Sequence, residues 1–127
     1  MTKNVLKIIN SAMKSLGLEY GLGVYEKSPV VYPYFVGEYQ ETEPSSESGL
    51  QESSFILNGF SRDTWLTLED AKEKIKNYFS KVSGKTVMLD DGSAVVVFYA
   101  NSMIVPTGDA ELKRIQINLQ VKEWSVK

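Results

Sequence analysis

The side chains in this chain that could do chemistry are carboxylates, hydroxyls and tyrosines, because its 127 residues include no histidine and no cysteine. That removes the commonest general base, the thiolate nucleophile and the usual zinc ligands together. What is left is a run of glutamates. Between Lys27 and Arg62 stand Glu38, Glu41, Glu43, Glu47 and Glu52, with no basic residue among them. Paired carboxylates perform acid–base work only when held in fixed positions with their pKa values pushed apart. The segment around them, Thr42 to Ser54, reads TEPSSESGLQESS and has one large apolar residue, Leu50. It cannot bury enough surface to offset the entropy of ordering it. We therefore expect a mobile acidic loop at about 42–54, in which Glu41, Glu43, Glu47, Leu50 and Glu52 serve contact with a partner rather than catalysis.

Two other constellations lead to the same expectation. Asp90, Asp91 and Asp109 sit in two turn sequences, but no EF-hand spacing surrounds them, and an Asp in a turn is explained by its own backbone. Glycines 17, 21 and 23 do not follow a convincing strand or open a helix, so they read as turn and cap residues and not as a phosphate cradle. No catalytic, metal or cofactor site is expected, and the chain is not read as an enzyme. The aromatics Tyr32, Tyr34, Phe35 and Tyr39 could stack nucleobases, yet no Arg or Lys is interleaved with them, so packing in a core or interface is the expectation.

The formal net charge of −2 gives no attraction for a polyanion, which argues against a nucleic-acid ligand. Hydrophobic residues at 43% and charged residues at 24% are the balance of an ordinary globular chain. Lys3, Lys7 and Lys14 interrupt the apolar residues near the start, so neither a signal-type apolar run nor a membrane span is expected there or later. The chain is read as made in the cytosol, as a single domain over residues 1–127.

The elements that position these groups can be read from periodicity. Val5, Leu6, Ile8, Ile9, Ala12, Met13 and Leu16 recur at helical spacing over residues 2–16, and Gly17 is the stop. Leu22 to Glu26 is at best a brief strand, and Pro29 and Pro33 restrict the chain that follows. Tyr34 to Glu41 predicts a strand with Tyr34, Val36 and Glu38 on one face and Phe35, Gly37 and Tyr39 on the other. Phe55 to Phe60 predicts its neighbour. A helix is expected over Leu68 to Val82, with Thr67 as N-cap, Glu69 and Asp70 in its first turn, and an apolar stripe of Leu68, Ala71, Ile75, Tyr78, Phe79 and Val82. Trp65, just before it, reads as a hydrophobic staple onto that helix. Thr86 to Leu89 and Ala94 to Tyr99 flank Asp90-Asp91-Gly92-Ser93 as a hairpin. In the last strand Ile115, Ile117, Leu119 and Val121 alternate with Arg114, Gln116, Asn118, Gln120 and Lys122, which predicts one buried face and one solvated or partner-facing face. The fold class expected is α+β, a mainly antiparallel sheet with two helices in the order α-β-β-α-β-β-β.

That order, taken with the phrase Val31-Tyr-Pro-Tyr-Phe-Val-Gly-Glu, resembles the tail-completion, or tail-terminator, proteins of long-tailed bacteriophages and prophages. Tyr32-Pro33-Tyr34, the loop Thr42 to Ser54, the strand Phe55 to Phe60 and the helix Leu68 to Val82 match in order and spacing, so the resemblance covers nearly the whole chain. Phe60-Ser-Arg-Asp-Thr-Trp65 departs from it, because relatives carry their Trp within the strand before the helix. The resemblance implies a subunit, monomeric when free, that forms a hexameric ring capping the tail tube and joins it to the head connector. It implies a place in the host bacterial cytoplasm during assembly and in the virion afterwards. On this reading the polar residues Arg114, Gln116, Asn118 and Gln120 face a neighbouring subunit or a wet lumen. An acidic wall there would let DNA slide. The alternative from the residues alone is a small intracellular protein-binding module acting as a regulator or partner protein.

Overall fold

The computed structural model describes residues 2–41, 50–80 and 85–124. Two helices and six strands follow the order α1 (Lys3–Ser15), β1 (Glu19–Leu22), β2 (Tyr34–Glu41), β3 (Leu50–Ser61), α2 (Trp65–Tyr78), β4 (Lys85–Met88), β5 (Ala94–Val105) and β6 (Lys113–Trp124). The strands form one sheet in the order β1-β2-β3-β6-β5-β4. All pairs are antiparallel except β1 with β2, which is parallel. The class is α+β, with one strand more than the periodicity suggested. The brief strand expected at Leu22 to Glu26 lies earlier, as β1, because its four-residue stretch Glu-Tyr-Gly-Leu is too short to display an alternation.

Each strand sends alternate side chains to opposite faces. On one face Phe35, Phe55, Leu57, Val95, Val97, Ile115, Ile117, Leu119 and Val121 are buried, and they form a single core with Val5, Ile9, Ala12 and Met13 of α1 and Leu68, Ala71 and Ile75 of α2. Fully burying a side chain of this size contributes about 1.5–3 kcal/mol each. The core also dictates two glycines. A Cβ on Gly59 would run into the Phe35 ring, and one on Gly37 into the Phe55 ring and the Tyr20 hydroxyl. Burial beside these residues pushes the Tyr20 phenol up to about 12.

α1 ends as its sequence requires. Gly17 takes φ +71°, the Gly17 N–H donates to the Lys14 carbonyl, and the Leu18 N–H donates to the Met13 carbonyl, which closes a Schellman motif. Its other end is held from far away in sequence, where the buried Glu123 carboxylate accepts from the Thr2 hydroxyl (2.7 Å) and backbone N–H (3.3 Å). A carboxylate there also meets the positive end of the helix dipole.

α2 begins earlier than expected. Its N-cap position is Thr64 and Trp65 is its first helical residue, so Thr67 lies inside the helix, where its hydroxyl donates to Asp63 (3.0 Å). Glu69 and Asp70 fall beyond the first turn, which holds no acidic residue, and Glu69 instead pairs with Lys72 at 2.6 Å. The helix stops at Tyr78; Phe79 is its buried C-cap, and Val82 lies outside the described residues. Trp65 is therefore no staple, since a staple precedes the N-cap. It stands exposed against the β5–β6 turn.

β3 begins at Leu50, so residues 50–54 of the expected loop are strand, paired with β6 from Leu50↔Trp124 onward. The partner strand explains this: Ser and Gln carry no strong preference of their own, and the neighbouring β6 supplies the ladder. Residues 42–49 lie outside the described residues. β5 likewise continues past the expected Tyr99 to Val105, through an irregularity between Tyr99 and Asn101.

Candidate functional site

Among the described residues, no helix lies on the second face of the sheet. Its β6 row consists of Arg114, Gln116, Asn118, Gln120 and Lys122, the residues out of phase with the buried Ile115, Ile117, Leu119 and Val121. Of the other sequence-predicted contact residues, Leu50 and Glu52 share this face. Register sets Leu50 beside Trp124 and Glu52 beside Lys122, whose Nζ lies 3.8 Å from the Glu52 carboxylate. Glu41 belongs to the opposite phase of β2, paired with Ser53, and is exposed. Glu43 and Glu47 lie outside the described residues. The expected acidic contact set is thus not one cluster: alternation along β2 and β3 separates Glu41 from Glu52.

The centre of the open face is a network of amides. Gln116 Nε2 donates to Asn118 Oδ1 at 3.1 Å, and Asn118 Nδ2 donates to Asn101 Oδ1 at 2.6 Å across to β5. Side-chain amides both donate and accept, so such a row can meet polar groups of either kind or ordered water without leaving a charge unpaired.

At one end, the crossover from β1 to β2 lays Tyr25 on this face. The Tyr25 and Tyr34 rings stack at 4.5 Å, Tyr34 and Phe60 at 5.2 Å, and the Arg114 guanidinium lies 5.6 Å from the Phe60 ring centre. Arg114 Nη2 donates to Asn58 Oδ1 (2.8 Å), and Asn58 Nδ2 donates to Glu38 Oε1 (3.3 Å). These groups surround an open cleft of about 370 Å³. Sequence reasoning noticed Tyr34 but missed Tyr25, Asn58 and Phe60 as its partners. The signal was available for two of them, since Asn58 and Phe60 are the out-of-phase residues of β3. Tyr25 was not legible, because nothing local says a crossover folds over a sheet.

Arginine does reach the aromatics, from β6 and from the turn after β3: Arg62 Nε donates to the Tyr32 hydroxyl at 3.3 Å. Base stacking still gains no support. Both faces of Tyr34 are taken by Tyr25 and Phe60, so the ladder satisfies itself. Phe35, the other ring in the motif, is in the core.

Three carboxylates are held in their charged form. The Lys27 ammonium, and then the Tyr25 hydroxyl, bond Glu19 and hold its carboxyl below the usual range. Backbone N–H groups of Ser93 and Glu111 do the same for Asp91 and Asp109 in their turns. All three shifts run away from neutrality, where a general acid or base operates. Among the described residues, no group of three or more acidic side chains converges to hold a metal ion, and no helix is long and apolar enough to cross a membrane.

Exposed apolar side chains include Leu22, Val24, Val30 and Val31 on and after β1, Ile104 of β5 with Trp65 of α2 beside the β5–β6 turn, and Met103, which stands on the open face opposite Gln116. No protein-family model matches the chain, and the search of curated proteins finds no match either.

Proposed function

We propose that this chain is a structural assembly subunit, a tail-completion protein that rings the end of a phage tail tube and joins it to the head connector. The observation that carries the reading is the division of its surface. An amide-rich row occupies the middle of an open sheet face, and two different apolar patches occupy opposite sides of the sheet. A ring of identical subunits needs this arrangement: its contacts are heterologous, one patch of each copy meeting the other patch of the next. Patches of this kind on a small domain mark contact surfaces. The polar face then looks onto a wet lumen or a docking partner, where its amides hydrogen-bond to water or to partner groups. The resemblance carried by Tyr32-Pro33-Tyr34 and the element order adds the phage context.

Disrupting the coding sequence in its phage or prophage tests the proposal. Lysates should then hold filled heads and separate tails of irregular length, and supplying the protein should restore joining. Normal virions in the disrupted strain would refute it. A second reading, a binding module for another protein, is favoured by the Tyr25–Tyr34–Phe60–Arg114 cleft; such a module would leave virion assembly untouched and lose its partner on Arg114→Ala.

A further inference from the structure

The two margins of the sheet carry complementary backbone, not only apolar side chains. In β5 the first half is paired with β4, through Lys85↔Val97 to Met88↔Ala94, and the Tyr99 N–H donates to the Phe79 carbonyl at 2.8 Å. Beyond that point β5 pairs on one side alone among the described residues. Because Tyr99 turns its N–H away from β6, the residues sharing its face, Ser102 and Ile104, do the same after the irregularity, opposite Ile117 and Ile115. Each directs one donor and one acceptor outward.

β1 is the strand at the other end of the sheet. The Gly23 N–H donates to the Gly37 carbonyl at 2.8 Å, which fixes the odd-numbered residues as those facing β2. Tyr20 and Leu22 therefore direct their N–H and carbonyl groups outward. Both margins thus present two outward residues, in both cases with side chains on the helix-bearing face. The charge of β1, Glu19, stands at its start and is paired with Lys27, and the stretches that face outward hold neither of the usual guards of an edge, a charge or a proline: Tyr20 to Val24 reads YGLGV and Asn101 to Val105 reads NSMIV.

We infer that β1 of one copy adds to the free half of β5 of the next, Tyr20 opposite Ile104 and Leu22 opposite Ser102, so that the sheet continues from subunit to subunit. This inference rests on the proposed ring and specifies its contact. Strand directions support it. β1 runs parallel to β2, and three successive antiparallel steps through β3 and β6 leave β5 running opposite to it. Copies related by rotation about an axis along the strands therefore meet antiparallel, the geometry in which two opposed residues exchange both hydrogen bonds. The side chains agree as well. Leu22 and Ile104, 45% and 60% exposed, lie diagonally across the join on the helix face. Both helices of every copy stay on the same side. A join of this kind is heterologous, so it builds a ring or a filament and not a two-fold dimer.

The absence of cysteine allows a direct test in the full chain. Leu22→Cys with Ser102→Cys places two thiols four strands apart within one copy, about 19 Å at the usual strand spacing, too far for a short bis-maleimide to bridge. Between copies they are opposed. Concentrated protein treated with that reagent should give a ladder of dimers, trimers and larger species, and so should the Leu22→Cys, Ile104→Cys pair one step along. Each single-cysteine variant and the control pair Leu22→Cys, Lys74→Cys should give at most stray dimers. Covalent trapping reads the contact even when it is weak and transient, and unchanged melting of the variants shows that the fold is kept. A ladder no stronger than the control, or dimers from a single variant in the yield of the double variant, overturns the inference. If the ladder is missing while the protein still restores head–tail joining, the ring uses other surfaces. If the ladder forms and joining never depended on this chain, the strand contact stands and the tail-completion reading falls.

Discussion

The two faces of this sheet are made by the same strands, one residue apart, and they behave as different materials. On the helix side every central position of β3 and β6 is apolar or glycine, and the rings are packed so closely that Gly37 and Gly59 have no room for a methyl group. On the open side the same strands carry Asn58, Arg114, Gln116, Asn118 and Gln120, with Arg114 bonded to Asn58 and Gln116 to Asn118. The first face makes the fold. The second is what the fold presents, and the comparison predicts that equal changes on the two sides have unequal consequences.

The largest effect belongs to Ile75→Asp on α2. Ile75 is fully buried against the sheet, and an unpaired carboxylate there costs several kcal/mol, enough to unfold a domain of ordinary stability. A circular dichroism melt should show no native transition; a wild-type profile would mean the helix face is assigned wrongly. Gly59→Ala comes next. Its new methyl group meets the Phe35 ring, and overpacking of this kind costs about 1–3 kcal/mol, measurable as a lower urea midpoint at unchanged m-value.

Phe60→Ala removes one ring of the open-face stack, its contact with Tyr34 and the seat of Arg114, and should cost about 1–2 kcal/mol. A loss as large as that of Ile75→Asp would show that the open face, too, is structural core. Tyr20 tests the margin where the faces meet. Its phenol is raised to about 12 in the folded protein, against about 10 when unfolded, so the folded state holds this proton more tightly. That contribution is complete below pH 10 and is lost as pH rises toward 12. The stability of Tyr20→Phe should be flatter across this window, and an identical alkaline decline in both proteins would remove Tyr20 as its cause. The smallest effect is expected from Gln116→Ala and Asn118→Ala, each within about 0.5 kcal/mol of wild type in a melt. Both should nevertheless weaken assembly, which separates presenting from folding.

How far the sequence disclosed this depended on the range of the interactions involved. The alternation from Arg114 to Lys122 exposed both faces of β6 before any coordinates, since a two-residue period needs only neighbours. The Gly17 stop of α1 is equally local. The start of α2 was misplaced because Thr64 and Thr67 are equivalent as caps, and Leu68 gave the apolar pattern a false beginning three residues late. β3 looked too short because Leu50 to Ser54 becomes strand through its β6 partners and not through its own preference. The Tyr25–Tyr34 stack, the Glu123 carboxylate at the start of α1 and the Glu38–Asn58–Arg114 chain all join residues distant in sequence. No local pattern encodes such pairs. The candidate contact set was legible where it lay on β6 and was scattered where it lay on β2 and β3, since the expected loop hid the strand phase.

The most direct measurement of the account is made on tail tubes assembled from the tube protein of a long-tailed phage. Purified protein is added while the tubes are still elongating, and their ends are imaged by electron microscopy. The account predicts that elongation stops and that a ring of extra density sits at one end of each tube, with Gln116→Ala and Asn118→Ala weakening the capping without unfolding the subunit. Tubes that continue to grow with bare ends, at protein concentrations well above those of the tube subunit, would contradict it.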